Sequence, residues 1–429
     1  MNAFTTRKDG DTLRCVLCGR QYDALARSCA SCDGALLRMS YARRRFQPMQ
    51  RTGIFKYLHW LPSRRGIETE IGPVVYQSEG LAGFLGLRRL YIGINGYCPE
   101  RGAFNITGTF KDFEALPTLL YLQEHGVTRV ILASAGNTGR AFAYAARMLG
   151  FRLDIIVPEA MAHKLWLPVK PAEAVRLTVV ADSRDYSKAI ELCGLAAREF
   201  GIPDEGGARN VARRDGMGTA MLEYARIVGA LPDHYFQAVG SGTGAIAAWE
   251  ASLRLIADGR FGDRLPRLHL AQNAPFTPIH DAWTNGKKIH PRRNIREQLA
   301  RIARIKADVL ANRNPPFSVA GGVRDALEAT NGLTYSVTNR EASAACKLFE
   351  RTECFTPSAA ASVAVAALVQ AVRAGRIGRD DAVFLHVTGG GLDRLRKDYH
   401  IHRLQPGLRV PVARVTARSV SRLGGWFAS

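Results

Sequence analysis

The sequence has no apolar run long enough to cross a bilayer. Its most hydrophobic stretch, residues 359–372, is alanine-rich and shorter than the ~20 residues a membrane helix needs. Residues 1–14 contain no apolar core of a signal peptide, so the expectation is a cytoplasmic chain without a membrane partner. There is no internal repeat and no low-complexity tract. With 47% hydrophobic and 23% charged residues, a disordered or fibrous chain is excluded. Acidic residues stop at Asp398, while Arg403, Arg409, Arg414, Arg418 and Arg422 follow. At 429 residues the chain is too long for one ordinary core, and dividing by about 150 suggests roughly three domains.

Lysine and arginine number 59 against 38 acidic residues, a net charge of +21. Such a balance attracts anions, whether nucleic acid or small acidic substrates. The charge is spread along the chain rather than gathered into one motif, so it reads as a solvated surface, and nucleic acid is not the expected partner.

Of the eight cysteines, four form two pairs, Cys15-Val-Leu-Cys18 and Cys29-Ala-Ser-Cys32. Each pair makes a tight thiolate knuckle, and two knuckles complete a tetrahedral zinc site. The segment is too short to bury a core of its own, so a metal staple is what it needs. Two disulfides would be the competing reading, disfavoured in a chain with no secretion signal. Between the knuckles only Arg20, Arg27 and Tyr22 could meet a nucleic acid, so a structural zinc ribbon is expected.

Further on, strands and helices alternate. The pattern predicts strands at 129–133, 153–157, 177–181, 235–239, 268–272 and 382–387. It predicts helices at 110–125, 137–149, 186–200, 218–228, 244–257 and 357–374. That alternation signals βαβ units and parallel sheets. The expected fold is α/β, with two open parallel-sheet domains and a cleft between them. In such sheets ligands collect at the carboxyl ends of the strands.

Three strands end in small-residue turns. Ser134, Ala135, Gly136, Asn137 and Thr138 lie between a strand and a helix, where backbone N–H groups and hydroxyls converge on an anion. Gly240, Ser241, Gly242, Thr243 and Gly244 form a second strand-to-helix turn, a backbone cup that fits a phosphate. It is not a P-loop, because no Lys-Ser or Lys-Thr follows. The third turn begins with Thr388, which presents one hydroxyl at a strand end. Lys111 stands at the start of a helix, where a cation opposes the helix dipole. A residue that breaks a local rule is a site candidate. A lysine for a Schiff base, a phosphate cup, an anion-binding turn and a strand-end hydroxyl together make up the parts of a pyridoxal phosphate site.

With these residues in order, the chain resembles the fold-type-II pyridoxal phosphate enzymes, the group of threonine synthase, cysteine synthase and the tryptophan synthase β chain. Thr109-Phe110-Lys111-Asp112 and Ser134-Ala135-Gly136-Asn137-Thr138-Gly139 match the threonine synthase pattern. The zinc-ribbon start, Gly53-Ile54-Phe55, Asn95-Gly96-Tyr97 and the block from Lys111 through Arg140 are similar to the cysteate synthases of methanogenic archaea. The resemblance runs from about Cys15 to Leu395 and is weaker between about Gly262 and Ala345.

What it implies is a β-replacement enzyme acting on O-phosphoserine and sulfite, with threonine synthase chemistry on O-phosphohomoserine or β-replacement with another nucleophile as the alternatives, and a nucleic-acid-binding zinc-ribbon protein that merely retains the fold as the reading from outside the enzymes. Lys111 would bond the cofactor, Asn137 would face its ring oxygen, 240–244 would hold its phosphate and Thr388 would face its ring nitrogen. Ser134, Ala135, Gly136 and Thr138 would bind the substrate, and Arg101, Lys164 and Arg213 are candidate cations for its anionic groups. The partners implied are a small anionic amino acid and sulfite, with a homodimer as the assembly. The domain plan is a ribbon at 1–40, a large domain from 41–110 and 205–400, a small domain at 111–204, and an irregular basic tail at 401–429. Two departures stand out: Cys98 interrupts the 97–99 block, and the basic tail has no counterpart in the family.

Overall fold

The computed structural model describes every residue except 1, 2, 7, 135, 183–185 and 429. Two sheets organise the chain. The larger has six strands in the order Leu333–Val337, Arg267–Asn273, His234–Ala238, Ala382–Val387, Arg89–Ile94 and Val74–Gln77. The first five are parallel, and the last pairs antiparallel with its neighbour. The central strands are apolar throughout: Ala382–Val387 is buried at every position, as a strand covered on both faces must be. Helix Ala359–Arg373 packs across them. It is built from alanine and valine, and the Ser358 hydroxyl caps it by accepting from Ala361 N.

The smaller sheet contains Arg129–Ala133, Arg152–Pro158, Val175–Ala181 and Pro406–Pro411, all parallel. Its last strand is the main difference from the sequence reading, which expected residues 401–429 to be an irregular tail. Pro406–Pro411 is instead an edge strand paired with Val175–Ala181, and His402–Arg403 pairs with Trp166–Leu167. Beyond it, Val415, Val420 and Phe427 are buried against helix Tyr186–Glu199. The sequence hides this strand: it begins and ends in proline, exposes Gly407 and Arg409 and fully buries only Val410, and its pairing partner lies far back in the chain.

Three helices, Lys111–Glu124, Val211–Val228 and Thr243–Asp258, pack together. The middle one starts seven residues before the expected 218, because the Asn210 side chain caps it by accepting from Ala212 N at 3.0 Å. Its residues Val211 to Ala225 are all buried, charged ones included, so no amphipathic period marks its beginning. Three strands, Thr12–Cys15, Gln21–Tyr22 and Leu37–Ser40, form the ribbon. Among the described residues no helix is long and apolar enough to cross a membrane.

Candidate active site

Lys111 opens the helix Lys111–Glu124, against the dipole, and a carboxylate one turn on holds it there. Glu114 is fully buried, and its Oε2 accepts from Lys111 Nζ at 3.0 Å. The same carboxylate accepts from Thr138 Oγ1 at 2.9 Å, from Arg213 Nη2 at 2.9 Å and from Arg213 Nε at 3.0 Å. Arg213 also donates through Nη1 to both oxygens of Glu205, at 2.7 and 2.8 Å. Burial lowers the basicity of the Lys111 amine, and Glu114 opposes that shift without cancelling it. Burial alone would raise the Glu114 carboxyl, but the Arg213 guanidinium and Lys111 outweigh it and hold the acid below its usual range.

The backbone joins this lysine to Thr388. Phe110 N donates to the Thr388 carbonyl at 3.0 Å, and Thr109 bridges Gly389. Thr388 ends the strand Ala382–Val387 and is only 6% exposed. Asn95, which ends the neighbouring strand Arg89–Ile94, donates its N–H to Val387 O at 3.0 Å. Its buried amide has no partner on either atom among the described residues. Residues 240–244 follow the strand His234–Ala238, which pairs in parallel with Ala382–Val387 on its other side. The cup and Thr388 therefore sit at the carboxyl ends of adjacent strands.

Gly242 has a φ of +78°, the left-handed region that favours glycine, and an added Cβ would collide with Val323. A Cβ at Gly244 would strike the Gln237 amide. The N–H groups of Ser241, Gly242 and Gly244 have no acceptor among the described residues, and they stand at the start of helix Thr243–Asp258. Ser241 Oγ and Thr243 Oγ1 lie 2.8 Å apart beside them. Unsatisfied donors at a helix start, a cup whose positions 242 and 244 leave no room for a side chain, and a half-buried amine fit pyridoxal phosphate. The Asn95 amide is a further unsatisfied polar group next to Thr388, and sequence reasoning quoted it without giving it a role.

Asn137 begins the helix Asn137–Leu149. Its Oδ1 accepts from Arg140 Nη2 at 2.6 Å, which leaves the amide NH2 to face another acceptor. Arg140 is buried, stacks on Trp166 at 4.5 Å, and is lowered to about 10 by burial. Ser134 Oγ accepts from Gly139 N at 3.0 Å and so closes the turn. Thr138 ties this turn to the lysine through Glu114. Ala135 lies outside the described residues.

Of the three candidate cations, Arg213 alone touches the carboxylate that seats the lysine. Arg101 stacks on Tyr76 at 3.9 Å and faces Glu353, and Lys164 pairs with Asp308. Asp308 belongs to a segment that the sequence reading passed over. Leu310 lies against Gly240, and Val309 faces Gly136, so one loop touches both turns. Asn273 holds that loop by accepting from Ala307 N at 3.0 Å. The loop falls where the family resemblance is weak, and no local motif marks it.

The four ribbon cysteines come together. One sulfur from each of Cys15, Cys18, Cys29 and Cys32 lies within 4.8 Å of the other three, and none is in a disulfide. Four thiolates converging from two knuckles fit a tetrahedral zinc ion. The ribbon is docked rather than free. Leu36 N donates to Ala320 O, Arg209 Nη1 to Gly34 O and Tyr121 Oη to Ala24 O.

Comparison with known proteins agrees with this geometry. Residues 88–389 match the family described as "Pyridoxal-phosphate dependent enzyme". A cysteate synthase of Methanosarcina acetivorans is 47% identical over 399 residues, covering 93% of this chain and 96% of the relative. One from Methanoculleus marisnigri is 47% identical over 423 residues, covering 97% of both. Among solved structures, an aspartate racemase dependent on pyridoxal 5'-phosphate superposes with a TM-score of 0.55 at 18% identity, over 75% of this chain and 91% of that one. A threonine deaminase from Solanum lycopersicum gives 0.54 at 15% identity, over 82% and 91%. At those identities the two structures speak to the fold alone.

Proposed function

Since the chain belongs to the pyridoxal-phosphate-dependent enzymes, and among them to the cysteate synthase family, we propose that it makes L-cysteate and phosphate from O-phospho-L-serine and sulfite. Lys111 holds the cofactor aldehyde. The free N–H groups of Ser241, Gly242 and Gly244, with the Ser241 and Thr243 hydroxyls, bind its phosphate. The Asn137 amide faces the ring oxygen and the Thr388 hydroxyl the ring nitrogen. Bound pyridoxal phosphate supplies an electron sink for the pair left at Cα when its proton is removed. A neutral hydroxyl at Thr388 does not favour a charged ring nitrogen, which suits β-replacement over transamination. Ser134, Ala135, Gly136 and Thr138 receive the substrate carboxylate at the start of helix Asn137–Leu149.

Lys111 Nζ takes the Cα proton. The Cβ–O bond breaks with its electron pair leaving on phosphate, and the sulfite sulfur lone pair forms the new Cβ–S bond. Lys111 then returns the proton to Cα. Burial lowers the basicity of the amine and so favours the neutral form that a base requires. A chain of net charge +21 draws both anionic substrates toward it. A homodimer is part of the same proposal.

The observation that carries this reading is the half-buried Lys111 amine, stitched to Thr388 through Phe110 and to the 134–138 turn through Glu114. The test is product analysis with O-phosphoserine plus sulfite, run beside O-phosphohomoserine. Cysteate and phosphate in equal amounts are expected from the first. Threonine from the second with no cysteate from the first would overturn the assignment.

A further inference from the structure

None of the roles above uses Glu114, yet every group its carboxylate touches belongs to the site. It accepts from Lys111 Nζ, from Thr138 of the substrate turn and from Arg213. A fully buried acid with three donors around it is not a solvated helix residue that happens to lie near a lysine. Its spacing is that of a one-turn pair, with the lysine at position 111 and the acid at 114 on the same face. Arg213 comes from another helix, is itself buried, and is fixed from behind by Glu205.

We propose that Glu114 is the positioning residue of Lys111: its carboxylate seats the free amine whenever the lysine is not bonded to cofactor, and brings it back to the same place in each turnover. The proposal rests on reading Lys111 as the cofactor lysine. When the lysine is freed to move a proton at Cα, the long side chain needs one docking point close to the substrate. Glu114 provides it, and its bond to Thr138 holds that point against the turn that receives the substrate. Arg213 keeps the carboxylate ionised even though it is buried, and so able to accept from the amine. The charged groups facing Lys111 are Glu114 on its own helix, Arg213 from helix Val211–Val228 and Glu205 from the segment before it. Asp112, also on the lysine's helix, is turned to Thr107 instead.

The experiment uses the cofactor-free full-length protein. Reductive methylation of Lys111 is followed across pH by peptide mass spectrometry, in wild type and in Glu114→Gln. An opposite charge at this range raises an amine's pKa by about 1–3 units, so removing it should lower the midpoint by at least about one unit, a tenfold gain in reactivity on the rising limb. A carboxylate that merely propped up Arg213 would leave the midpoint where it is, and an unmoved midpoint overturns the proposal. If Glu114→Gln does not fold because Arg213 loses a partner, the comparison is made in Glu205→Gln/Arg213→Gln. There Glu114→Gln strands no other buried charge, and the same fall is expected. The labelling involves neither phosphoserine nor sulfite. A failed product assay therefore sinks the proposed reaction and leaves Glu114 standing, while an unmoved midpoint does the reverse.

Discussion

Replacing Phe427 with alanine should loosen the small sheet although the residue lies far in sequence from its other three strands. Its ring is fully buried, stacks on Phe200 at 5.5 Å, and packs in one cluster with Val410, Val415, Val420 and helix Tyr186–Glu199. Truncating a buried phenylalanine costs about 3–5 kcal/mol, through lost transfer energy and the cavity left behind. The hydrogen bond that the Arg129 guanidinium donates to the Phe427 carbonyl survives the change, so the loss is one of packing. The opening that matters is local: the 412–428 segment lifts, and the edge strand Pro406–Pro411 follows it. Hydrogen exchange of the amides in Val175–Ala181, the strand paired with that edge, reads this directly. At about 1.4 kcal/mol per tenfold change, protection there should fall by about a hundredfold or more. If only residues 412–428 exchange faster while Val175–Ala181 keeps its protection, the segment is a peripheral cover and the cluster argument is wrong.

Lys111→Ala should abolish the cofactor adduct that borohydride reduces and leave the fold intact, because Glu114 keeps Arg213 as a partner; a reducible adduct at another lysine with full turnover would refute the assignment. Gly242→Asp should empty the site of cofactor, since the side chain would collide with Val323 and set a carboxylate among the phosphate donors, and unchanged occupancy in absorbance titration would move the phosphate site elsewhere. Asp112 is buried and pushed up to about 7 from an ordinary value near 4, so its folded form prefers the proton. That contribution to stability is full below about pH 4 and is lost as pH rises toward 7, by up to about 4 kcal/mol at 1.36 kcal/mol per unit, so wild type should lose ground against Asp112→Asn in melting experiments across that window. Metal analysis should return about one zinc per chain, as expected for a closed tetrathiolate site, and a chelator strong enough to strip it should expose residues 12–40 to protease; metal well below half an equivalent in protein never exposed to chelator would count against the ribbon.

Much of the molecule was written locally. The strand 129–133 and the helix 137–149 stand where the sequence placed them, because a short apolar run and a 3.6-residue period are properties of adjacent residues. The cysteine knuckles were legible for the same reason: metal geometry dictates their spacing, and four sulfurs do converge. The glycine turns and Thr388 could be singled out because strand ends collect ligands, but the sequence could not say which strands are neighbours. That came from the pairing of His234–Ala238 with Ala382–Val387 and from the Phe110–Thr388 bond, both long-range. The fourth strand of the small sheet, the loop around Asp308 and the Glu114–Arg213 pair were not visible in advance. An edge strand that buries only Val410 among prolines, a glycine and one arginine has no apolar signature, and a buried charge looks like a surface charge until its partner, about a hundred residues away, is brought against it. Local physics in the sequence determined which parts are present. Burial and long-range pairing decided what they touch, and with it where the lysine's charge is held.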